Sequence, residues 1–150
     1  MKNRILVIVH LEPDFGKLIE EELPRNVALY SQLFDQTLVV ESASELSGTQ
    51  PYYELMHLYD RWVETWVWGW PDHLDCYDME PEEEVIEGRD YIVCSGSAHP
   101  GAYLPDWLWE LNNNDQYYLV GGCRNECLQD VAEMFNERNL DFRIVESLTF

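Results

Sequence analysis

The sequence predicts an α/β fold, a single three-layer α-β-α domain built on a mostly parallel sheet of about five or six strands. Three observations predict it. The length of 150 residues suits one hydrophobic core. Short apolar runs recur without clean alternation, as in strands that are covered on both faces. Segments with helical spacing separate these runs, and strand–helix alternation is typical of a Rossmann-like parallel sheet wound right-handed.

The predicted strands share a high content of Val, Ile, Leu and Tyr. They are Ile5–Val9, Thr37–Val40, Tyr91–Cys94, Tyr117–Val120 and Phe142–Val145.

The predicted helices carry apolar residues three and four positions apart. They are Arg25–Phe34, Tyr52–Trp66, a helix that begins at Pro105, and Asn125–Arg138.

Composition narrows the possible partners. The chain has 29 acidic and 9 basic residues, a net charge of −20, and 46% hydrophobic residues. This apolar content excludes a disordered acidic tail. The charge repels phosphates and anionic lipid, so we expect no direct nucleic acid binding and no membrane binding. It leaves open a basic protein partner, although solubility is the commoner reason for an acidic surface.

The cysteines favour a reducing compartment. Cys76, Cys94, Cys123 and Cys127 form no CxxC pair and are too few for a disulfide scaffold. Together with the absence of a signal-peptide pattern, they predict reduced thiols in a cytoplasmic protein. Nothing in the sequence predicts a cofactor.

The most informative strand end is that of Tyr117–Val120, because ligands bind beyond the carboxyl ends of parallel strands. Gly121 and Gly122 allow a sharp turn there, and Cys127 falls in or near the first turn of the following helix. The helix dipole favours a thiolate at that position. His10, at the end of the first and central strand, is in a suitable place to act as its base.

Each of these two residues also has a structural interpretation. For Cys127 the structural alternative is a side chain that lines the core, because buried cysteines are usually inert packing residues. For His10 it is a polar residue that closes its strand through a hydrogen bond to the backbone. From the residues alone, both alternatives remain open.

Several segments resemble the isochorismatase-like cysteine hydrolases, a superfamily that includes nicotinamidases. The stretch Val120–Leu128, with the helix and acidic-ended strand that follow, resembles the family's cysteine signature, in which Cys127 matches the catalytic cysteine. The segment His10–Phe15 resembles the family's Asp-x-Gln-x-Asp-Phe, and Trp70–His73 resembles the nicotinamidase Trp-Pro-x-His.

The resemblance implies a set of site residues. It implies an oxyanion or substrate site that includes Gly122, Cys123, Asp14, Phe15 and Trp70. A cis peptide bond, which helps to form the oxyanion hole in the family, would fall near Gly122–Cys123.

The family's catalytic residues are altered in this chain. The family uses a Cys–Asp–Lys triad, but His10 stands in place of the Asp, and Glu87 (or Arg89, with a one-residue gap) in place of the Lys. An acid beside a thiolate disfavours its ionisation.

The metal positions are also altered. The family's metal-binding Asp-x-His corresponds to Ser44 and Leu46, which leaves His73 as a weak metal candidate. The sequence therefore predicts no metal site.

Two functions follow from these departures. The first is a binding or interaction protein that has lost hydrolysis and takes a small molecule or a basic protein partner. The second is an active hydrolase of a small amide, in which His10 deprotonates Cys127 and Glu12, Asp14 or Glu87 orients His10. A homodimer is also expected, because proteins of this fold often self-associate. An aromatic-rich chain that lacks part of the family's covering loop also tends to expose an apolar patch.

Overall fold

A computed structural model describes residues 2–13, 16–42, 52–55, 61–66, 90–93 and 110–150, with the backbone alone for 41–42, 61–66 and 90–93. The strands of the fold are β1 (Arg4–Val9), β2 (Gln36–Ser42), β3 (Arg61–Trp66), β4 (Asp90–Val93), β5 (Gln116–Gly121) and β6 (Asp141–Thr149). The helices with described backbone are α1 (Leu23–Ser31), a short 3-10 helix (Tyr53–Leu55), and α2 (Cys127–Glu137).

The strands form one sheet in the order β4-β3-β2-β1-β5-β6. Every neighbouring pair is parallel, which confirms an α/β fold with a parallel sheet. Strands β2, β1, β5 and β6 are the part of the sheet for which side chains are described, and β3 and β4 extend it beyond β2. β1 lies between β2 and β5, so the prediction that the first strand is central is confirmed.

The strand order reverses at β1. From β1 the chain moves outward through β2, β3 and β4, and then returns to place β5 on the other side of β1. Connections on the two sides of such a point leave on opposite faces of the sheet, which opens a crevice at the carboxyl ends of the two central strands. This topology therefore favours a ligand at the carboxyl ends of β1 and β5, which we call the β1–β5 edge.

Both faces of the central strand β1 are buried, one under α2 and the other under α1. Alternate residues of β1 point to opposite sides, because side chains alternate along a strand. Ile5, Val7 and Val9 join the cluster that contains Val131 and Phe135 of α2. Leu6 and Ile8 join the cluster that contains Leu23 and Val27 of α1. This two-sided burial is the reason the strands read as continuous apolar runs.

The helix ends follow from local sequence. Pro24 lies in the first turn of α1, where its missing N–H costs nothing. α2 ends at Glu137, and Asn139, two residues later, adopts a left-handed φ of 55°, a conformation that Asn tolerates. The Leu140 N–H then donates to the Phe135 carbonyl at 3.0 Å.

The predicted helix over Tyr52–Trp66 is wrong. Residues 53–55 form only one 3-10 turn, and Arg61–Trp66 is strand β3, paired with β2. Trp62, Val63 and Trp66 satisfy a helical spacing, yet Val, Thr and Trp are residues that favour strands. The pairing of β3 with both β2 and β4 decides the outcome, because tertiary context overrides a weak local preference.

Two other predicted elements remain, the last strand and the helix that begins at Pro105. The strand predicted as Phe142–Val145 is longer, and it loses register with β5 between Leu119 and Gly121. The helix predicted to begin at Pro105 falls on residues outside the described ones, apart from its last positions. No helix within the described ranges has the length and apolar character needed to cross a membrane.

Tyr117 should make the fold sensitive to alkaline pH. Its ring is fully buried, its hydroxyl donates to the Asn112 carbonyl at 3.0 Å, and burial together with the nearby Asp115 raises its pKa to about 12. A raised pKa of an acid means that the fold favours the neutral phenol. The contribution of the neutral Tyr117 phenol to the free energy of unfolding is fully present below pH 10 and is lost as the pH rises through about 12.

We therefore predict that Tyr117→Phe flattens the fall in unfolding free energy between pH 9 and 12, which urea denaturation measures, by about 2 kcal/mol. Tyr53→Phe, which removes an exposed phenol, is the matched control. The same alkaline loss in Tyr117→Phe and in the unaltered chain would contradict the assignment.

Candidate functional site

The candidate site lies at the carboxyl ends of β1 and β5. Val9, the last residue of β1, pairs with Gly121, the last residue of β5. His10 follows the first of these, and Gly122 follows the second. The Gly122 N–H donates to the Val9 carbonyl at 2.9 Å, so the two strand ends remain together beyond the ladder.

His10 ends β1 in an unusual backbone conformation. Its φ is 48°, a left-handed value that non-glycine residues seldom adopt but that is less rare for His than for most. Its N–H donates to the Val40 carbonyl of β2 at 2.7 Å, and its side chain is fully buried. A left-handed residue held in this way turns the chain away from the sheet while the imidazole stays inside the protein.

Glu12 is a second buried polar residue at the same strand end. Its N–H donates to the His10 carbonyl at 2.9 Å, and only 3% of the residue is exposed. Burial of a carboxylate is costly unless it is paired or hydrogen-bonded. A buried imidazole and a buried carboxylate two residues apart therefore make this loop chemically distinct from the apolar strand before it.

Gly121 and Gly122 are required by close packing after β5. Gly121 has a φ of 98°, and a Cβ there would lie 2.0 Å from the Val9 carbonyl oxygen. A Cβ on Gly122 would lie 2.7 Å from the Phe150 ring. These two positions admit only glycine without displacement of β1 or of the end of β6.

Arg124 fixes the next part of the turn to the end of β6. Its Nε donates to Thr149 Oγ1 at 2.7 Å, and a terminal nitrogen donates to the Thr149 carbonyl at 2.9 Å. Its own N–H donates to the Phe150 carbonyl at 2.8 Å. Three bonds from one residue hold the turn before α2 against the last strand.

Cys127 is the first residue of α2, so the prediction that it falls in or near the first turn is confirmed. It is 6% exposed and belongs to the same buried cluster as Val9 of β1. The first N–H groups of a helix and its dipole stabilise negative charge, which favours a thiolate at this position. No disulfide involves Cys123 or Cys127, the two cysteines within the described ranges.

The backbone donors of the turn 121–128 bond both within the turn and to neighbouring strand ends. The N–H groups of Glu126 and Leu128 both donate to the Cys123 carbonyl at 3.1 Å. Those of Gly122 and Arg124 donate to Val9 and Phe150. Among the described residues, no backbone carbonyl accepts the Cys123 N–H.

The peptide bond between Gly122 and Cys123 is cis. It lies at the position where the family resemblance implies such a bond.

The two cysteines of this turn have different electrostatic environments. Burial, and after it the negative charges of Glu126 and Cys127, together raise the pKa of Cys123 to about 11. Cys123 therefore keeps its proton at neutral pH. Of the two thiols, Cys127 at the helix start is the one suited to act as a nucleophile.

Four of the predicted site residues lie within the described ranges and follow the ends of β1 and β5 along the chain, namely His10, Gly122, Cys123 and Cys127. The others fall on residues outside the described ranges; they are Asp14, Phe15, Trp70, His73 and Glu87. Within the described ranges, no group of three or more His, Cys, Asp or Glu side chains is arranged to hold a metal ion.

Sequence reasoning missed two residues of this region. Arg124 binds Thr149, 25 positions away, and no local pattern marks such a contact. Asp130 is 7% exposed in the first turn of α2. An acidic residue buried between Leu128 and Val131 is the signal that points to it, since acids near a helix N-terminus are stabilised there.

A cavity of about 310 Å³ lies at the opposite, amino-terminal end of the strands. Ile5, Leu38, Tyr117 and Asp115 are among its lining residues. The Asp115 carboxylate accepts the Asn3 N–H at 3.2 Å, so this acid is part of the structure that holds the start of β1.

No family model, curated protein or solved structure matches this chain. The assignment of function therefore depends on the geometry of the β1–β5 edge.

The close approach of Gly121 to β1 gives a direct prediction. Gly121→Ala combines a left-handed backbone with a Cβ that collides with a main-chain carbonyl, so we expect a loss of about 3 kcal/mol in unfolding free energy. Urea denaturation measures it. A loss below about 1 kcal/mol, the size of an ordinary substitution, would contradict the described turn.

Proposed function

We propose that this chain is an isochorismatase-like cysteine hydrolase that acts on a small amide-type substrate, with Cys127 as nucleophile and His10 as base. The observation that carries the proposal is that α2 begins at Cys127, beside the strand end where His10 is buried. The sequence by itself favoured a binding protein without hydrolysis. The burial of His10 and Glu12 at the same edge as Cys127 supports the active alternative.

The proposed reaction has two stages. His10 takes the proton of the Cys127 thiol, and the sulfur attacks the carbonyl carbon of the amide. The carbonyl oxygen becomes an oxyanion, which the Cys123 N–H and the amino end of α2 stabilise. The C–N bond then breaks, and the proton passes from His10 to the leaving amine.

Water completes the cycle. It attacks the thioester carbon while His10 accepts its proton, the C–S bond breaks, and the carboxylic acid and the Cys127 thiol are released. No oxidant or metal ion is required by this sequence of steps.

The third member of the catalytic set is a carboxylate. An acid that holds the neutral imidazole in one orientation and stabilises its cation is a recurring arrangement in such enzymes. Glu12 suits this role because it is buried two residues from His10. Asp14 and Glu87 remain the alternatives that the sequence predicts.

The net charge of the chain constrains the substrate. With a charge of −20, the protein repels anions and attracts cations over its surface. We therefore expect a neutral or cationic carboxamide to be a better substrate than an anionic one.

Alkylation tests the nucleophile without knowledge of the substrate. Iodoacetamide should label Cys127 at pH 6 to 7 faster than a free thiol of pKa about 8.5, because the helix start and the imidazole favour the thiolate. The tryptic peptide 125–138 contains no other cysteine, so mass spectrometry reads this site alone.

The matched variant is His10→Asn, since Asn tolerates a left-handed backbone but has no proton to exchange in this range. It should shift the labelling profile of Cys127 to higher pH. Labelling of Cys127 in the unaltered protein no faster than that of a free thiol would contradict the proposal.

A binding protein without hydrolysis is the second candidate. Two observations favour it. His10 stands where the resembling family has its acid, and the chain has 29 acidic residues for 9 basic ones, which gives it a net charge of −20. The exposed run Glu20–Glu22 is part of that surface. The expected homodimer stays a prediction.

A binding role predicts behaviour that catalysis does not. Cys127→Ser should keep its affinity for a basic protein partner captured from solution, and that affinity should fall steeply between 50 and 200 mM salt because surface charge pairs are screened. A globular protein of equal net charge is the control. Equal capture by that control, or no capture at low salt, would contradict a specific acidic interface.

A further inference from the structure

We propose that Cys123 and Cys127 form an oxidative modification site, in which a peroxide converts the two thiols to an intramolecular disulfide at the start of α2. The proposal requires the thiolate of Cys127, which the proposed function also uses, but it does not require hydrolysis. The reactant is a hydroperoxide, either hydrogen peroxide or an organic one.

The turn brings the two cysteines close together. The Cys123 carbonyl accepts the N–H of Leu128 at 3.1 Å, and it also accepts that of Glu126 at 3.1 Å. The Cys123 Cα is two covalent bonds from the carbonyl oxygen that accepts the Leu128 N–H. The Cys127 Cα is likewise two covalent bonds from the Leu128 nitrogen. A disulfide requires Cα atoms about 4.4–6.8 Å apart, and a turn closed in this way suits that requirement.

The charge coupling between the two residues agrees with this geometry. The Cys127 thiolate contributes to the raised pKa of Cys123, which places the two side chains within electrostatic reach of each other. The pair is also asymmetric, because Cys127 lies at the amino end of α2 whereas Cys123 is held as a thiol. A reactive thiolate beside a second thiol is the arrangement of a peroxide-sensitive site.

The first step oxidises Cys127. Its thiolate attacks one peroxide oxygen, the O–O bond breaks, an S–O bond forms, and hydroxide (or an alkoxide) leaves. The sulfur is oxidised to a sulfenic acid, and the peroxide is reduced.

The second step closes the disulfide. The Cys123 sulfur attacks the Cys127 sulfur, an S–S bond forms, the S–O bond breaks, and the thiol proton leaves with the hydroxide as water. Loss of the Cys127 negative charge in the first step removes one of the causes that hold the Cys123 proton. Oxidation of Cys127 therefore makes it easier for the Cys123 thiol to lose its proton in the second step.

Trypsin gives a direct readout, because it cleaves after Arg124, between the two cysteines. Cys123 lies in peptide 90–124 and Cys127 lies in peptide 125–138. A Cys94→Ser background removes the only other cysteine of the first peptide. Folded, reduced protein treated with hydrogen peroxide and digested without reductant should then yield the two peptides linked, and dithiothreitol should separate them.

Cys123→Ser and Cys123→Ala in the same background are the test variants. Both should lose the linked peptides, and dimedone should instead trap the sulfenic acid of Cys127 in peptide 125–138. Circular dichroism shows whether each variant is folded. Two different substitutions are used so that the test can still be made if one of the variants does not fold.

Absence of the linked peptides in folded Cys94→Ser protein, with peptide 125–138 carried on to sulfinic acid, would overturn the proposal. Linked peptides without any amide hydrolysis would support the oxidation site and contradict the proposed function. Amide hydrolysis without linked peptides would support the proposed function and contradict the oxidation site.

Discussion

The close approach of β5 to β1 at their carboxyl ends is the constraint on which the site depends. Gly121 has its Cα against the Val9 carbonyl, at a distance that leaves no room for a Cβ, and its left-handed φ turns the chain out of the sheet. Gly122 then packs under Phe150, and Arg124 is tied to Thr149. As a result α2 begins at Cys127, above the end of the central strand, where the reversal of strand order opens a crevice.

This geometry gives different environments to two thiols that lie close together. Cys123 lies inside the turn, where burial and Glu126 keep it protonated, whereas Cys127 lies at the first helical position. The acidic character of the whole chain opposes any thiolate, so local donors have to offset it. The helix start and the imidazole of His10 are the groups that supply this local stabilisation in the proposed mechanism, in which the buried Glu12 is the candidate carboxylate for orienting the imidazole.

The sequence predicted most of the frame, because strands buried on two faces carry continuous apolar runs and the glycine pair marks a turn. It failed at Arg61–Trp66, where Trp62, Val63 and Trp66 fit a helical stripe as well as a strand and only the pairing with β2 and β4 decides between them. At the site, the positions of Cys127 and His10 followed from strand ends. The bond from Arg124 to Thr149 did not, because a contact across 25 residues leaves no periodic signal.

The proposed mechanism requires the Cys127 side chain to face the His10 ring across the β1–β5 edge. A nuclear Overhauser spectrum of the reduced protein, with His10→Asn to assign the ring protons, measures this proximity. We expect cross-peaks between the His10 ring protons and the Cys127 β-protons. Cross-peaks from that ring only to Leu23 and Val27, which belong to the buried cluster on the α1 face, would contradict it.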